Sequence, residues 1–207
     1  SLNCLSAWDK NKRKIMETQR YAKEIVAGNK ALDMMTAGTV GRRAGGPKFI
    51  FIEGNHEDRM TRYLEIDPTF EGQVGIYKDL NLAARDFKWV PYKANFNLRG
   101  TSFTHIPING MGRAIGNPNV ANKALKLYHN SVVFGHTHTL DTAGEHKQNA
   151  PHLNQALAVG CYFEHVDEYA KGSLTNYWRG IVEMELYKTN RFDFSTTSMR
   201  QMRNKYA

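Results

Sequence analysis

Two apolar runs in this sequence, each followed at once by glycine and polar residues, indicate an α/β fold. The first is KFIFIEGNHED, residues 48–58, and the second is SVVFGHTH, residues 131–138. Short runs rich in β-branched and aromatic residues, here bounded by Pro47 and by glycines, are typical of buried strands. Because α/β sheets place their functional groups at the carboxyl ends of strands, both polar segments are candidate site loops.

The rest of the sequence alternates helical and strand-like patterns, and we predict one α/β domain over 1–207. An intermittent apolar stripe predicts a helix from Asp9 to about Met35, with a break between two helices at Gly28 and Asn29. The remaining patterns predict helices from Asp58 and at 120–129, strands at 87–90, 95–105 with a bend at Gly100, 156–159, 180–186 and 191–195, a polar loop at 107–119, and a basic, poorly anchored tail at 199–207.

Composition excludes several classes of protein. The chain has 207 residues, of which 41% are hydrophobic, and this is not the composition of a disordered or collagen-like chain. No apolar run approaches the roughly 18 residues of a transmembrane helix, so we expect no membrane association. The two cysteines, Cys4 and Cys161, are too few for a disulfide framework or a cysteine zinc knuckle. They predict a reducing compartment, the cytoplasm.

The formal net charge of +8 attracts anions, nucleic acids included. Its densest run, KNKRK at residues 10–14, fits either a solvated helix face or part of a nucleic-acid footprint. Four aromatic residues likewise fit either stacking on a base or packing in the core: Tyr92, Tyr162, Phe163 and Trp178.

The histidines are the strongest candidates for chemistry. His136 and His138 lie two residues apart in a turn after a strand, so both can point to one metal ion or to two adjacent ions. Imidazole nitrogen suits Zn, Mn, Fe and Ni alike, so the pair does not choose the ion. Asn55 is a weak ligand alone and is meaningful only beside stronger ones.

These segments resemble the signatures of a known family. Residues 54–57, GNHE, and residues 135–138, GHTH, are similar to the GNHE/D and GHTH motifs of the calcineurin-like metallophosphoesterases, of the phage and bacterial type. His105 matches the isolated histidine that this family has between the two motifs. The resemblance implies a four-layer α/β/β/α sandwich of two mixed sheets flanked by helices, lacking its first strand or strands in this chain.

The resemblance also implies roles for individual residues. Asn55, His105 and His136 would hold one divalent ion, and His138 would hold a second. Two such ions (Mn, Zn, Fe, Ni or Mg) would neutralise a phosphoester and activate a water molecule for attack on it. His56 would protonate or stabilise the leaving oxygen.

Substrate binding has weaker candidates. Arg59 follows the first motif, and Arg113 lies in the polar loop, from which a guanidinium could reach a substrate phosphate. The loop itself, with its glycines at 110, 112 and 116, does not have the spacing of a dinucleotide fingerprint.

The family's Asp-x-His and Gly-Asp motifs would lie upstream of residue 1, joined to this chain or on a separate N-terminal segment. The implied function is a metal-dependent phosphodiesterase or nuclease that hydrolyses DNA, RNA or nucleotides in the cytoplasm of a bacterium or a phage-infected host. The alternative is a catalytically inactive fragment, or a basic nucleic-acid-binding module, that retains half of the metal site.

Overall fold

The computed structural model describes residues 18–39, 46–146, 148, 152–163 and 176–206. They form a mixed α/β structure, as the sequence predicts. The chain divides into two compact units, Ser1–Tyr92 and Lys93–Ala207, and the assignment of 1–207 to a single domain stays a prediction. The predicted helix start at 9–17 and the basic run at 10–14 lie outside the described residues.

The first unit combines a two-stranded parallel sheet with helices. Strand β1 (Phe49–Ile52) pairs with β2 (Phe87–Val90), close to the predicted positions of both. The helices are α1 (Thr18–Thr36), α2 (Asp58–Ile66) and α3 (Ile76–Asp79), with a 3-10 turn at Pro68–Phe70. Six buried hydrophobic side chains of this unit form one cluster: Leu32, Met60, Ile76, Leu80, Leu82 and Phe87.

Helix α1 continues through Gly28 and Asn29, so the predicted break is wrong. Asn29 Nδ2 donates to the carbonyl oxygens of Ile25 (3.1 Å) and Asp79 (2.8 Å), and the side chain thereby supports the helix instead of ending it. A Cβ at Gly28 would lie 3.0 Å from Leu80 Cδ2. Gly28 is therefore a position of close packing, not a helix terminus.

The second unit contains a five-stranded mixed sheet in the order β3-β4-β5-β7-β6. Central strand β5 (Val132–Phe134) is buried throughout and has parallel neighbours on both sides. The other strands are β3 (Phe96–Leu98), β4 (Thr101–Thr104), β6 (Leu140–His146) and β7 (Leu153–Val159). Helix α4 (Val120–Leu127) packs its apolar side into the same core cluster as Phe134 and Ala158.

One strand prediction in this sheet is wrong, and one strand was not predicted. Residues 95–105 form the hairpin β3–β4 instead of one bent strand. The reason is that Arg99 and Gly100 both have positive φ, 50° and 83°, as in the tight turns that join hairpin strands. No apolar pattern predicts β6, because it is an edge strand whose side chains are mostly exposed.

An antiparallel hairpin of β8 (Gly180–Leu186) and β9 (Phe192–Ser198) follows, and then helix α5 (Met199–Tyr206). The tail predicted to be poorly anchored is thus helical, and the N–H of Met199 donates to the carbonyl of Arg179 (2.9 Å). Among the helices of the described ranges, none has the length and apolar character needed to cross a membrane.

The side chain of Gln155 connects the hairpin to the five-stranded sheet. Its Nε2 donates to the carbonyl oxygen of Phe192 (3.0 Å), and its Oε1 accepts from the N–H of Phe192 (2.9 Å). The side chain of Phe192 is 1% exposed, so water has little access to replace this pair of bonds. Gln155 therefore satisfies both backbone groups of Phe192, the first residue of β9.

Replacing Gln155 by methionine keeps the length of the side chain and removes both hydrogen bonds to Phe192. We expect the free energy of unfolding to fall by about 2 kcal/mol, since a buried polar group left unsatisfied costs about 1–3 kcal/mol. Urea denaturation measures the change. Gln201→Met, at an exposed position of α5, is the matched control, and equal stability of Gln155→Met and the wild type would contradict this role.

Candidate functional site

Parallel strand pairing brings two of the predicted ligands together in the second unit. Thr104 at the end of β4 is paired with Phe134 at the end of β5. The N–H of Gly135 then donates to the carbonyl of His105 (3.1 Å). His105 and His136 therefore leave the sheet side by side at its carboxyl edge, where α/β sheets carry their functional groups.

The rings of these two histidines are in contact. His105 Nε2 lies 3.0 Å from His136 Nδ1, and the ring planes are 81° apart. When two nitrogens bind the same metal ion at about 2.1 Å, with an N–metal–N angle of about 90–110°, the nitrogens are about 3.0–3.4 Å apart. Burial lowers the pKa of His136, and the nearby His138 lowers it further. Both effects favour the neutral imidazole that binds metals.

The turn that carries His136 and His138 has an uncommon backbone. The φ angle is 65° at His136 and 60° at His138, a left-handed region that costs a residue with a Cβ about 1–2 kcal/mol. The N–H of Thr137 donates to the carbonyl of Gly135 (2.8 Å), which closes a γ-turn around His136. Strained backbone collects at functional sites, so backbone geometry and sequence motif point to the same turn.

His138 contacts a different set of side chains. Its ring meets those of Phe163 and Tyr177 edge to face, with centroids 5.0 and 4.7 Å away. The guanidinium of Arg179 lies over both aromatic rings. Phe163 is one of the aromatic residues for which the sequence leaves stacking or packing open, whereas Tyr177 and Arg179 are not among the predicted site residues.

Trp178 holds residues 177–179 against the histidine turn. Its N–H donates to the carbonyl of His138 (2.9 Å). A Cβ at Gly160 would lie 2.5 Å from the carbonyl oxygen of Trp178, and a Cβ at Gly180 would lie 2.6 Å from its indole ring. Gly160, after β7, and Gly180, at the start of β8, are the sequence features that allow Trp178 to pack closely against the backbone.

The other motif lies in the first unit, in the turn between β1 and α2. Glu57 Oε2 accepts from the N–H of Gly54 (3.1 Å), and Asn55 is half-buried in the same turn. His56 Nε2 lies 3.2 Å from Arg59 Nη2. Because arginine can only donate, His56 Nε2 is the acceptor of this bond and the ring proton is on Nδ1. His56, the predicted acid, and Arg59, a candidate for substrate binding, are thus neighbours.

Glu53, directly before this motif, is a buried carboxyl that sequence reasoning missed. It is 7% exposed, and its Oε2 accepts from the N–H of Tyr92 (2.9 Å). Burial raises the pKa of Glu53 by more than the Tyr92 hydrogen bond lowers it, and the carboxylates of Asp58 and Glu57 raise it further. The available signal was an acidic residue at the end of an apolar run.

The polar loop at 107–119 contacts the histidine turn through one end. Asn117 Nδ2 donates to the carbonyl of Thr137 (3.4 Å). Arg113, the second candidate for substrate binding, is exposed near the tip of this loop, and its N–H donates to Asn109 Oδ1 (3.0 Å). The structure places Arg113 in a turn closed by Asn109.

Within the described ranges, no three His, Cys, Asp or Glu side chains come together as a group that could hold a metal ion. The contact between His105 and His136 supplies two ligands, whereas protein-bound Zn²⁺ usually has about four. The donor chemistry of the pair fits a divalent ion, and further ligands would have to complete the set.

Comparisons of the chain with family models, with curated proteins and with solved structures give no significant match. The family resemblance therefore depends on the two motifs, on His105 between them, and on the local geometry described above.

Gly160→Ala should destabilise the second unit, because the new Cβ would meet the backbone of Trp178 and the φ of Gly160 is 72°. Gly112→Ala is the matched control: its φ is 75°, but nothing lies within 4 Å of the added Cβ. We expect the control to lose about 1–2 kcal/mol from the left-handed backbone alone, and Gly160→Ala to lose clearly more in urea denaturation. Equal losses would mean that Trp178 moves aside freely.

Glu53→Gln should raise the melting temperature at neutral pH. A raised pKa means that the folded protein binds the proton more tightly than the unfolded chain. The associated stability is present below the unfolded pKa and is lost as the pH rises through the folded pKa. Glutamine mimics the protonated form, so the gain over wild type should disappear as the pH falls below the ordinary pKa of glutamate. Thermal melts across pH measure this, with exposed Glu65→Gln as control; a gain independent of pH would contradict it.

Proposed function

We propose that this protein is a metal-dependent phosphoester hydrolase of the calcineurin-like metallophosphoesterase type. The observation that carries the proposal is the 3.0 Å separation between His105 Nε2 and His136 Nδ1 at the ends of two parallel strands. Neutral imidazoles are ligands for Zn, Mn, Fe and Ni. A pair of them at the carboxyl edge of a sheet, on a turn with strained backbone, is better explained by ligation than by solvation.

Each histidine of the second unit has a role in this proposal. His105 and His136 would hold one divalent ion, and His138 would bind a second. When bound, such ions stabilise charge on the phosphoryl oxygens as Lewis acids. The aromatic contacts of His138 restrict the motion of its ring, so its orientation is set before any ligand binds.

In the first unit, His56 would be the proton donor of the reaction. Its ring would protonate or stabilise the leaving oxygen, and Arg59, within 3.2 Å of its Nε2, would orient it and bring positive charge to the phosphoester.

The same proposal includes the finer predictions that follow from the resemblance. These are the four-layer α/β/β/α sandwich, a phosphodiesterase or nuclease activity with Mn, Zn, Fe, Ni or Mg, and action in the cytoplasm. A nucleic-acid or nucleotide substrate is favoured by the net charge of +8, which attracts phosphates.

The test is hydrolysis of bis-p-nitrophenyl phosphate by the protein translated from its complete reading frame, with each divalent ion in turn. We expect His136→Ala to lose both bound metal and activity, and exposed His146→Ala, on β6, to keep both. His56→Ala should keep its metal while turnover falls by about 10²–10⁴, as for removal of a general acid.

Two results would overturn the proposal: no hydrolysis with any of the ions, or hydrolysis that survives His136→Ala. Salt-dependent binding of DNA or RNA without hydrolysis would support the alternative of a basic nucleic-acid-binding module. Equal loss of metal from His56→Ala and His136→Ala would reassign His56 as a ligand.

A further inference from the structure

Arg179 is a half-buried arginine held next to the candidate ligand His138. Its Nε donates to the carbonyl of Phe163 (2.9 Å). Its guanidinium carbon lies 5.9 Å from the centroid of the Phe163 ring and 5.5 Å from that of Tyr177. Both rings in turn contact the imidazole of His138 edge to face. The four side chains form one cluster, which we call the Arg179 cluster.

The backbone on both sides fixes the position of this arginine. The preceding residue, Trp178, donates its N–H to the carbonyl of His138 (2.9 Å), and the carbonyl of Arg179 itself accepts from the N–H of Met199 (2.9 Å). The following residue, Gly180, begins β8. Arg179 therefore loses little conformational freedom when it binds a ligand, which is the usual entropic cost of using a long side chain.

The aromatic rings of the cluster are already engaged within the protein. Each has Arg179 over it and a further ring against it, and the centroids of Phe163 and Tyr177 are 6.2 Å apart at 81°. A nucleobase that stacked here would have to displace the guanidinium. The cluster thus fits a support for the arginine better than a platform for a base.

The charge of Arg179 has no carboxylate partner among the described residues. Arg62 and Arg85, by contrast, are paired with Asp58 and Asp33. A guanidinium has five N–H donors, and the bond to Phe163 uses the one on Nε. Its planar fork matches two oxygens of a tetrahedral oxyanion, and stacking on aromatic rings is a common way to hold it for that purpose.

We propose that Arg179 binds a phosphoryl oxyanion beside His138. The choice of a phosphoryl group over other oxyanions rests on the proposed hydrolase function, whereas the anion site itself rests on the cluster. The oxyanion is either the phosphoester of a substrate or free phosphate. In both cases the two Nη atoms of Arg179 donate to its oxygens, and Phe163 and Tyr177 act as positioning residues.

The experiment measures the rate at which phenylglyoxal modifies Arg179. The native protein reacts with EDTA present, and peptide mass spectrometry of a digest then quantifies the modified arginine. Inorganic phosphate or bis-p-nitrophenyl phosphate is added, with potassium chloride at equal ionic strength as reference. At an anion concentration of ten times Kd, modification of Arg179 should slow by about tenfold, because only the free site reacts. Exposed Arg191, before β9, is the internal control in the same digest and should react at an unchanged rate.

Variants give a second, independent readout. Phosphate should raise the melting temperature of the wild type and of Arg191→Met, which carries the same change in charge, but not that of Arg179→Met, whose side chain can still pack on the rings. Protection by the diester at lower concentration than by phosphate identifies the substrate as the ligand, and the reverse identifies free phosphate. The proposal is overturned if chloride protects Arg179 as well as phosphate does, or if Arg179→Met keeps the full phosphate-dependent shift.

These readouts do not depend on hydrolysis, since EDTA removes divalent ions. Protection of Arg179 in a protein that hydrolyses no phosphoester would leave the anion site standing and remove the hydrolase function. Hydrolysis that requires His136, without protection of Arg179, would remove only the role of Arg179.

Discussion

The candidate site of the second unit depends on one constraint, which is that the parallel strands β4 and β5 end at paired residues. The two strands are parallel and in a register that pairs Thr104 with Phe134, so the chain leaves both at the same height. On the other side of β5, Phe134 is paired with Ala158 of β7, which brings a third exit to the same edge. A shift of one residue in the pairing of β4 with β5 would turn alternate side chains to the opposite face of the sheet and would separate His105 from His136.

The turn after β5 needs support from outside the sheet, because its backbone is costly by itself. Two histidines with positive φ in three residues persist only where their surroundings determine the conformation. The N–H of Trp178 on one side and the amide of Asn117 on the other donate to carbonyls of this turn. Glycines at 160 and 180 leave the space that Trp178 occupies. Support for the histidines is thus distributed over segments far apart in the sequence.

Several strands could be predicted because their residues are either continuously apolar, as in β1 and β5, or alternate between apolar and polar side chains, as in β2 and β8. β1, β2, β5 and β8 lie at or near their predicted positions, and the GHTH motif follows β5 directly, whereas Glu53 lies between β1 and the GNHE motif. Edge strand β6 could not be predicted, since exposure removes the apolar pattern on which the prediction relies. The break predicted in α1 failed for another reason: a glycine that ends a helix and a glycine that admits a neighbour, here Leu80, look the same in one sequence.

The site was predictable only where its residues lie on strand ends. His136 and His138 follow β5 in one motif, whereas His105, at the end of β4, was identified through its match to the family pattern; their roles stay predictions. Tyr177 and Arg179 have no motif, because a hydrogen bond between Trp178 and the carbonyl of His138 places them, and such a bond depends on the tertiary fold. Glu53 was missed because the sequence does not reveal that its carboxyl is buried.

The histidines and Arg179 contribute different electrostatic properties to this edge of the sheet. Burial lowers the pKa of His136 and the nearby His138 lowers it further, which favours the neutral imidazole of His136. The fixed positive charge comes instead from Arg179, held over two aromatic rings that also contact His138. In the proposed site an anion with several oxygens is favoured, because it can accept from the guanidinium of Arg179 with two of them.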